Sequence, residues 1–210
     1  MAIDINFITI LDFIGTFAFA ISGVRLAARK EFDLFGAFVV GFVTAVGGGT
    51  LRDLLLDVPP FWMQTKSYIL ITFLALLTTI VFKKWIVKFN YTFFIFDAIG
   101  LGLFTVVGLE KSFAVGNPMW VNIIMGCITG AAGGIFRDVL INEVPLIFRK
   151  DIYAVACIVG GLVYWICYLC HAPMMLTQIL AAISVILVRV LAVHFNVCLP
   201  SLKPEPEVHK

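Results

Sequence analysis

Apolar residues run along this chain in seven blocks, near 7–24, 33–56, 64–82, 91–109, 118–141, 152–170 and 174–197. A helix that crosses the hydrocarbon core of a bilayer needs about 20 predominantly apolar residues, so the pattern predicts seven such helices. The third block is the least clear, because its clean apolar run covers only 68–82. Asn117-Pro118 is expected to supply a cap and a first-turn proline, while Pro59-Pro60 and Pro145 stop the second and fifth helices. The segment 198–210 is polar and proline-rich toward its end and is expected to be a disordered cytoplasmic tail.

Composition narrows the class. Of 210 residues 61% are hydrophobic and 13% charged, and the mean hydropathy is +1.05. Soluble domains are nearer half apolar and a quarter charged. The fold class is therefore an all-α integral membrane protein. The first block lacks a basic leader and reads as a retained helix rather than a signal peptide. With seven spans, ten Lys and Arg, among them Arg25, Arg29, Lys30, Lys83, Lys84, Lys88, Arg149 and Lys150, fall on one side. Lys66 and Lys111 fall on the other, and Arg52, Arg137 and Arg189 lie in spans. The excess of basic residues on cytoplasmic loops then predicts an outside amino terminus and a cytoplasmic carboxyl terminus in the cell (inner) membrane.

A repeat is written into the same pattern. A shift of 85 residues superposes Asp12 on Asp97, Gly15 on Gly100, Gly23 on Gly108, Gly41 on Gly126 and Thr44 on Thr129. It also superposes Gly48-Gly49 on Gly133-Gly134 and Arg52-Asp53 on Arg137-Asp138, and one extra residue is expected to bring Val58-Pro59 onto Val144-Pro145. Three spans per unit is an odd number, so the units sit in opposite orientations. The predicted architecture is two inverted three-helix repeats plus a seventh helix, divided as 7–90, 91–171 and 172–197. Inverted repeats recur in transporters, with the substrate path at their interface.

Two sets of residues carry candidate chemistry. Gly41, Ala45 and Gly49 are spaced by four, as are Gly126, Gly130 and Gly134; small residues at that spacing let helix backbones approach closely. Gly47-Gly48-Gly49 and Gly133-Gly134 also permit a bend or a partly unwound turn, whose carbonyl oxygens could face a cation. Packing and bending both stay open.

The second set is charged. An ionisable group at the centre of a span costs about 2.5–3.5 kcal/mol on insertion scales. Arg52 and Asp53 are adjacent, so they point about 100° apart on a helix and are expected to find partners elsewhere. The expected pairs are Asp12–Arg52 and Asp97–Arg137, which would leave Asp53 and Asp138 less committed and each unit at a net charge of −1. That balance would favour cations. A capping or structural role for the same charges stays open. Arg189 is expected to snorkel to the headgroups. The five cysteines, Cys127, Cys157, Cys167, Cys170 and Cys198, read as small apolar residues rather than a disulfide framework. Cys167-Tyr-Leu-Cys170-His171 has the form of a haem attachment site but reads as a helix end. Nothing in the sequence suggests a metal site, a cofactor, an enzyme's catalytic constellation or nucleic-acid binding; basic residues such as Lys83 and Lys84 read as topology determinants with membrane lipid as a neighbour.

The doubled motif, Gly-Gly-Gly-Thr-Leu-Arg-Asp at 47–53 and Gly-Gly-Ile-Phe-Arg-Asp at 133–138 in a seven-span chain, resembles the prokaryotic trimeric intracellular cation channel family, whose repeated unit is also labelled a glycine transporter domain. The resemblance covers about 7–197. It implies a homotrimer with one pore per subunit, lined by the second and fifth helices and bent at Gly47–Gly49 and Gly133–Gly134, with a monovalent cation, potassium, as the ion. Ala132 stands where the first copy has Gly47, so the second bend is expected to be milder. The Lys-Glu-Val signature of animal members is absent at these motifs, and their lipid and calcium regulation is not carried over. A carrier for a small zwitterion such as glycine is the alternative, and a non-transporting scaffold a third reading.

Overall fold

Long apolar segments with ends marked by polar and proline residues satisfy their backbone groups internally as helices, and among the described residues seven do so. The computed structural model describes residues 6–87 and 90–200. Lys88 and the predicted disordered tail from 201 onward lie outside the described residues. The long helices are α1 (Phe7–Arg29), α2 (Leu34–Leu55), α3 (Ser67–Val81), α4 (Asn90–Ala114), α5 (Met119–Leu140), α6 (Ala154–Leu169) and α7 (Met174–His194). Five are long and apolar enough to span a membrane, while α3 and α6, the third helices of the two repeats, are shorter apolar helices of 15 and 16 residues.

Side chains open some of the helices. Asn6 accepts from Thr9 N at 2.9 Å and Asp33 from Gly36 N at 2.6 Å, capping α1 and α2. Asn117 does not cap α5; its amide donates to Ser112 Oγ and its carbonyl accepts from Asn122, pinning the α4–α5 turn. α1 and α4 run about five residues past their expected ends, in both repeats alike. Arg25 explains the first case. Its charge reads as a membrane boundary, yet its Nε donates to Ile86 O at 2.8 Å and the helix continues.

Several helices close on a left-handed residue that is not glycine: Glu31, Asp57, Asn142, His171 and Asn196. Each is followed by an amide that bonds back five residues, as in Ala172 N to Cys167 O at 3.0 Å. The Cys-x-x-Cys-His stretch is thus the terminal turn of α6, and all five cysteines are free. The expected tail begins late: Cys198 forms an isolated antiparallel bridge with Asp151, and Leu199 N bonds Lys150 O at 2.9 Å.

α1, α2, α4 and α5 form the central bundle, with α3 against α1 and α2, α6 against α4 and α5, and α7 against α4 and α6. The two repeats are related across this centre. Phe19 and Phe104, 85 residues apart, meet edge to face at 5.1 Å, and each fills the space over the other repeat's glycine, Phe104 over Gly15 and Phe19 over Gly100. The extra residue expected near the prolines is not there. Asp57 and Asn142 share φ near 55°, and Pro60 and Pro145 both lead into a short helical turn, Phe61–Gln64 and Leu146–Phe148, so the offset stays at 85.

Candidate functional site

The glycine motifs lie where α2 crosses α5. A methyl group on Gly48 would strike Thr129 O, and one on Gly133 would strike Thr44 O. These two contacts are mates under the repeat, and they bring the two backbones together. Helical hydrogen bonding runs without a break through both motifs, so neither is unwound and no turn of carbonyls is freed. The close approach consumes the glycine instead. Gly41 packs on Val24 and Ala20 O of α1, while Gly126 and Gly130 pack on Thr105 and Leu101 O of α4. Ala45 is buried at the equivalent place in α2. Gly47 makes room for the ring of Phe136; in the second repeat Ala132 stands at the position of Gly47, and the repeat mate of Phe136 is the smaller Leu51.

Beyond the glycines, at opposite ends of the α2–α5 pair, stand two charged cages. In the first, Arg52 folds back on its own neighbour, Nε to Asp53 Oδ1 at 2.8 Å and Nη2 to the same oxygen at 2.7 Å. In the second, Arg137 Nε donates to Asp138 Oδ1 at 2.8 Å. Adjacent residues do point apart at Cβ, but the long arginine stem spans the difference. The other carboxylate oxygen of each aspartate accepts a backbone amide eight residues on: Phe61 N to Asp53 Oδ2 at 2.8 Å, and Leu146 N to Asp138 Oδ2 at 3.0 Å. Asp53 and Asp138 are therefore fully committed, and they tie the chain's turn after α2 and α5 to the helix ends.

The expected Asp97–Arg137 pair is present at 2.5 Å with both side chains buried, and Arg137 Nη1 also donates to Ser22 Oγ at 2.8 Å. The expected Asp12–Arg52 pair is not formed. Asp12 Oδ2 instead accepts from Tyr68 at 2.7 Å and lies 4.0 Å from Lys111 Nζ. Arg189 does not snorkel: it is buried, its Nη2 lies 3.5 Å from Asp97 Oδ2, and its Nη1 donates to Ile152 O at 3.1 Å.

These two additional cations change the electrostatics. Asp12, Arg52, Asp53 and Lys111 sum to zero, and so do Asp97, Arg137, Asp138 and Arg189. The net −1 expected of each unit is cancelled by residues remote in sequence. Rings complete both cages. Phe61 lies beneath Arg52 at 5.4 Å and Lys111 at 4.8 Å, and Phe93 beneath Arg137 at 4.7 Å. Tyr153, the repeat mate of Tyr68, lies 4.9 Å from Arg189 and fills the space over Gly134. Tyr68, Tyr153, Phe61 and Lys111 were missed as site residues. The 85-residue shift already superposed the two tyrosines.

At the end of the second cage a cavity of about 460 Å³ opens, lined by Arg29, Lys30, Phe93, Asp138, Glu143 and Arg149 among others. Glu143 bridges Lys30 at 2.6 Å and Arg149 at 3.3 Å; the hydrogen bond and charge of Lys30 hold its carboxyl below the ordinary range. No group of three or more His, Cys, Asp or Glu that could hold a metal ion occurs among the described residues.

Comparison with known proteins places this geometry. A family model described as glycine transporter matches residues 9–84 and again 94–169. The UPF0126 inner membrane protein YadS of Escherichia coli is 38% identical over 200 residues, covering 91% of this chain and 94% of its own. A chain solved in a study of conductance through TRIC cation channels is 38% identical, with a TM-score of 0.84 over 96% of this chain and 100% of that one. The trimeric intracellular cation channel orthologue of Rhodobacter sphaeroides is 33% identical, with a TM-score of 0.85 over 90% of this chain and 98% of the other.

Proposed function

The chain belongs to the prokaryotic trimeric intracellular cation channel family, and from that premise we propose that it is a cation channel of the cell membrane, permeable to potassium. The observation that carries this is its likeness to solved channels of the family at 31–38% identity over at least 90% of the chain. The reading is of a homotrimer in which each subunit, divided at 7–90, 91–171 and 172–197, holds its own path along α2 and α5. Gly47, Gly48, Gly49, Gly133 and Gly134 then set the distance between the two lining helices. Asp12, Arg52, Asp53, Asp97, Arg137 and Asp138 stand at its two ends. Because the cages are neutral as a whole, cation preference is assigned to individual acceptor oxygens rather than to excess negative charge.

The basic loops put the amino terminus outside and the carboxyl terminus in the cytoplasm. The cavity beside Arg29, Lys30 and Arg149 is then the cytoplasmic mouth. The second reading, a carrier for a zwitterion such as glycine, is favoured by the description of the matching family model. Purified protein in planar bilayers under a potassium gradient separates the two. Unitary currents reversing near the potassium potential are expected; electrically silent, saturable glycine uptake in matched liposomes would replace the channel by the carrier.

A further inference from the structure

The two cages are built from the same residue types at the same spacing, yet they hold their aspartates differently. At one end Arg137 is bonded to Asp97, and the buried hydroxyl of Tyr153 has no hydrogen-bond partner. At the other end Tyr68 is bonded to Asp12, and Arg52 pairs with Asp53 but not with Asp12. Each aspartate is thus offered an arginine from the helix before the turn and a tyrosine from the segment after it. One takes the arginine and the other the tyrosine.

We propose that these are the two settings of one conformational switch. The chain exchanges between the observed arrangement and its reverse, in which Asp12 holds Arg52 and Asp97 holds Tyr153. Since the repeats are inverted, the exchange moves the arginine clamp from one end of the α2–α5 crossing to the other. This regulates the path assigned above and rests on that assignment.

The reverse setting is close at hand in both cages. Tyr153 and Asp97 share a neighbour, Arg189, which lies 4.9 Å from the tyrosine ring and 3.5 Å from Asp97 Oδ2. The tyrosine hydroxyl fills the space over Gly134, and Arg137 Nη2 borders the same space. At the other end Lys111 must leave Asp12 before Arg52 can reach it. The Lys111 side chain is 34% exposed, and water can receive it. Two residues break the symmetry and set the resting position. Ser22, whose repeat mate is Val107, and Arg189, on α7 outside both repeats, support the Arg137–Asp97 clamp.

The test uses Tyr68→Phe, Tyr153→Phe and the double variant in the full chain, with 4-fluorophenylalanine at position 61. Phe61 packs on Tyr68 at 4.4 Å and lies under Arg52, so its fluorine resonance reads the setting of that cage directly. Tyr68→Phe removes a bond from the observed setting and should enrich the reverse one roughly tenfold or more, as expected for a hydrogen bond to a charged group. Tyr153→Phe should deplete it by a similar factor, and the double variant should fall back near the parent. Single-channel open probability should follow the same order or its mirror image.

A Tyr153→Phe spectrum identical to the parent's, in which two resonances are resolved, would overturn the proposal, as would a single resonance in every variant. The asymmetry would then be fixed. If Tyr68→Phe does not fold, Tyr153→Phe carries the test alone, since its hydroxyl bonds nothing in the observed setting. The fluorine measurement needs no current. Responsive spectra without potassium currents would remove the channel reading and keep the exchange; currents with unresponsive spectra would do the opposite.

Discussion

Arg137 and Asp97 form a buried ion pair across α5 and α4, and Asp97 is shared with Arg189 of α7. Asp97 therefore touches two buried cations, of which Arg137 has Asp138 as a second partner and Arg189 has no other carboxylate in the cage. The repeat mate of Asp97, Asp12, faces a partly exposed lysine instead. Asp97→Asn should destabilise the protein by about 3–5 kcal/mol, the cost of leaving a buried charge unpaired. Asp12→Asn should cost markedly less. Thermal unfolding of the purified protein in detergent, followed by size exclusion, measures the difference; equal losses would show the cages to be energetically equivalent.

The α2–α5 crossing predicts a graded response to added methyl groups. Gly48→Ala places Cβ against a backbone carbonyl, which can move only with its helix, and overpacking of this kind costs about 1–3 kcal/mol. Gly47→Ala meets the ring of Phe136, a side chain that can turn aside. The expected order of melting temperature is parent, then Gly47→Ala, then Gly48→Ala. Current amplitude in the same variants reports whether the separation of the helices sets conductance.

Asp53 holds the amide of Phe61, and Asp138 that of Leu146. Asp53→Ala removes both this cap and the partner of Arg52, and it should destabilise by several kcal/mol, as for any broken buried pair. Asp53→Asn keeps an acceptor for the amide and should retain part of the loss. A variant ranking with Asn no better than Ala would assign the whole effect to charge.

Glu31 ends α1 with φ of 60°, a conformation that glycine adopts freely. Glu31→Gly should stabilise the protein by up to about 1 kcal/mol, the lower end of the left-handed penalty. A melting temperature below the parent's would mean that the carboxylate contributes more than the backbone strain costs.

The Lys30–Glu143–Arg149 link joins α1 to the turn after α5. Lys30 lowers the Glu143 carboxyl in the folded state. The contribution is therefore present above the ordinary carboxylate range and is lost as pH falls through the lowered value. Glu143 is exposed, so the effect should be small and should shrink further in high salt. Melting curves across acidic pH should show a parent-specific loss that Glu143→Gln abolishes.

How much of this was readable beforehand differs by element. Hydrophobic block length placed the seven helices, because backbone groups in an apolar solvent leave the chain few other choices. The repeat and its inversion followed from Asp12 and Asp97, Arg52 and Arg137, and an odd number of spans. The Asp97–Arg137 pair was also legible, since symmetry and helix ends put the two at one level.

What the sequence determined by itself was thus the class, the repeat and which residues form the doubled motif. It could not say where an arginine's long stem would end. Arg52 lies beside Asp53 in sequence and within one helical turn of the chain's exit, and only the fold of the following turn, with Phe61 above it, decides that it bends back rather than across to Asp12. Net charge was equally a tertiary property. Lys111 lies near the end of α4 and Arg189 on α7, and packing alone carries them into the two cages, where they cancel the charge that local counting left over. The glycines allowed a bend, a close approach or both, and the close approach is formed where α2 crosses α5, because Gly48 and Gly133 each face a carbonyl of the other helix.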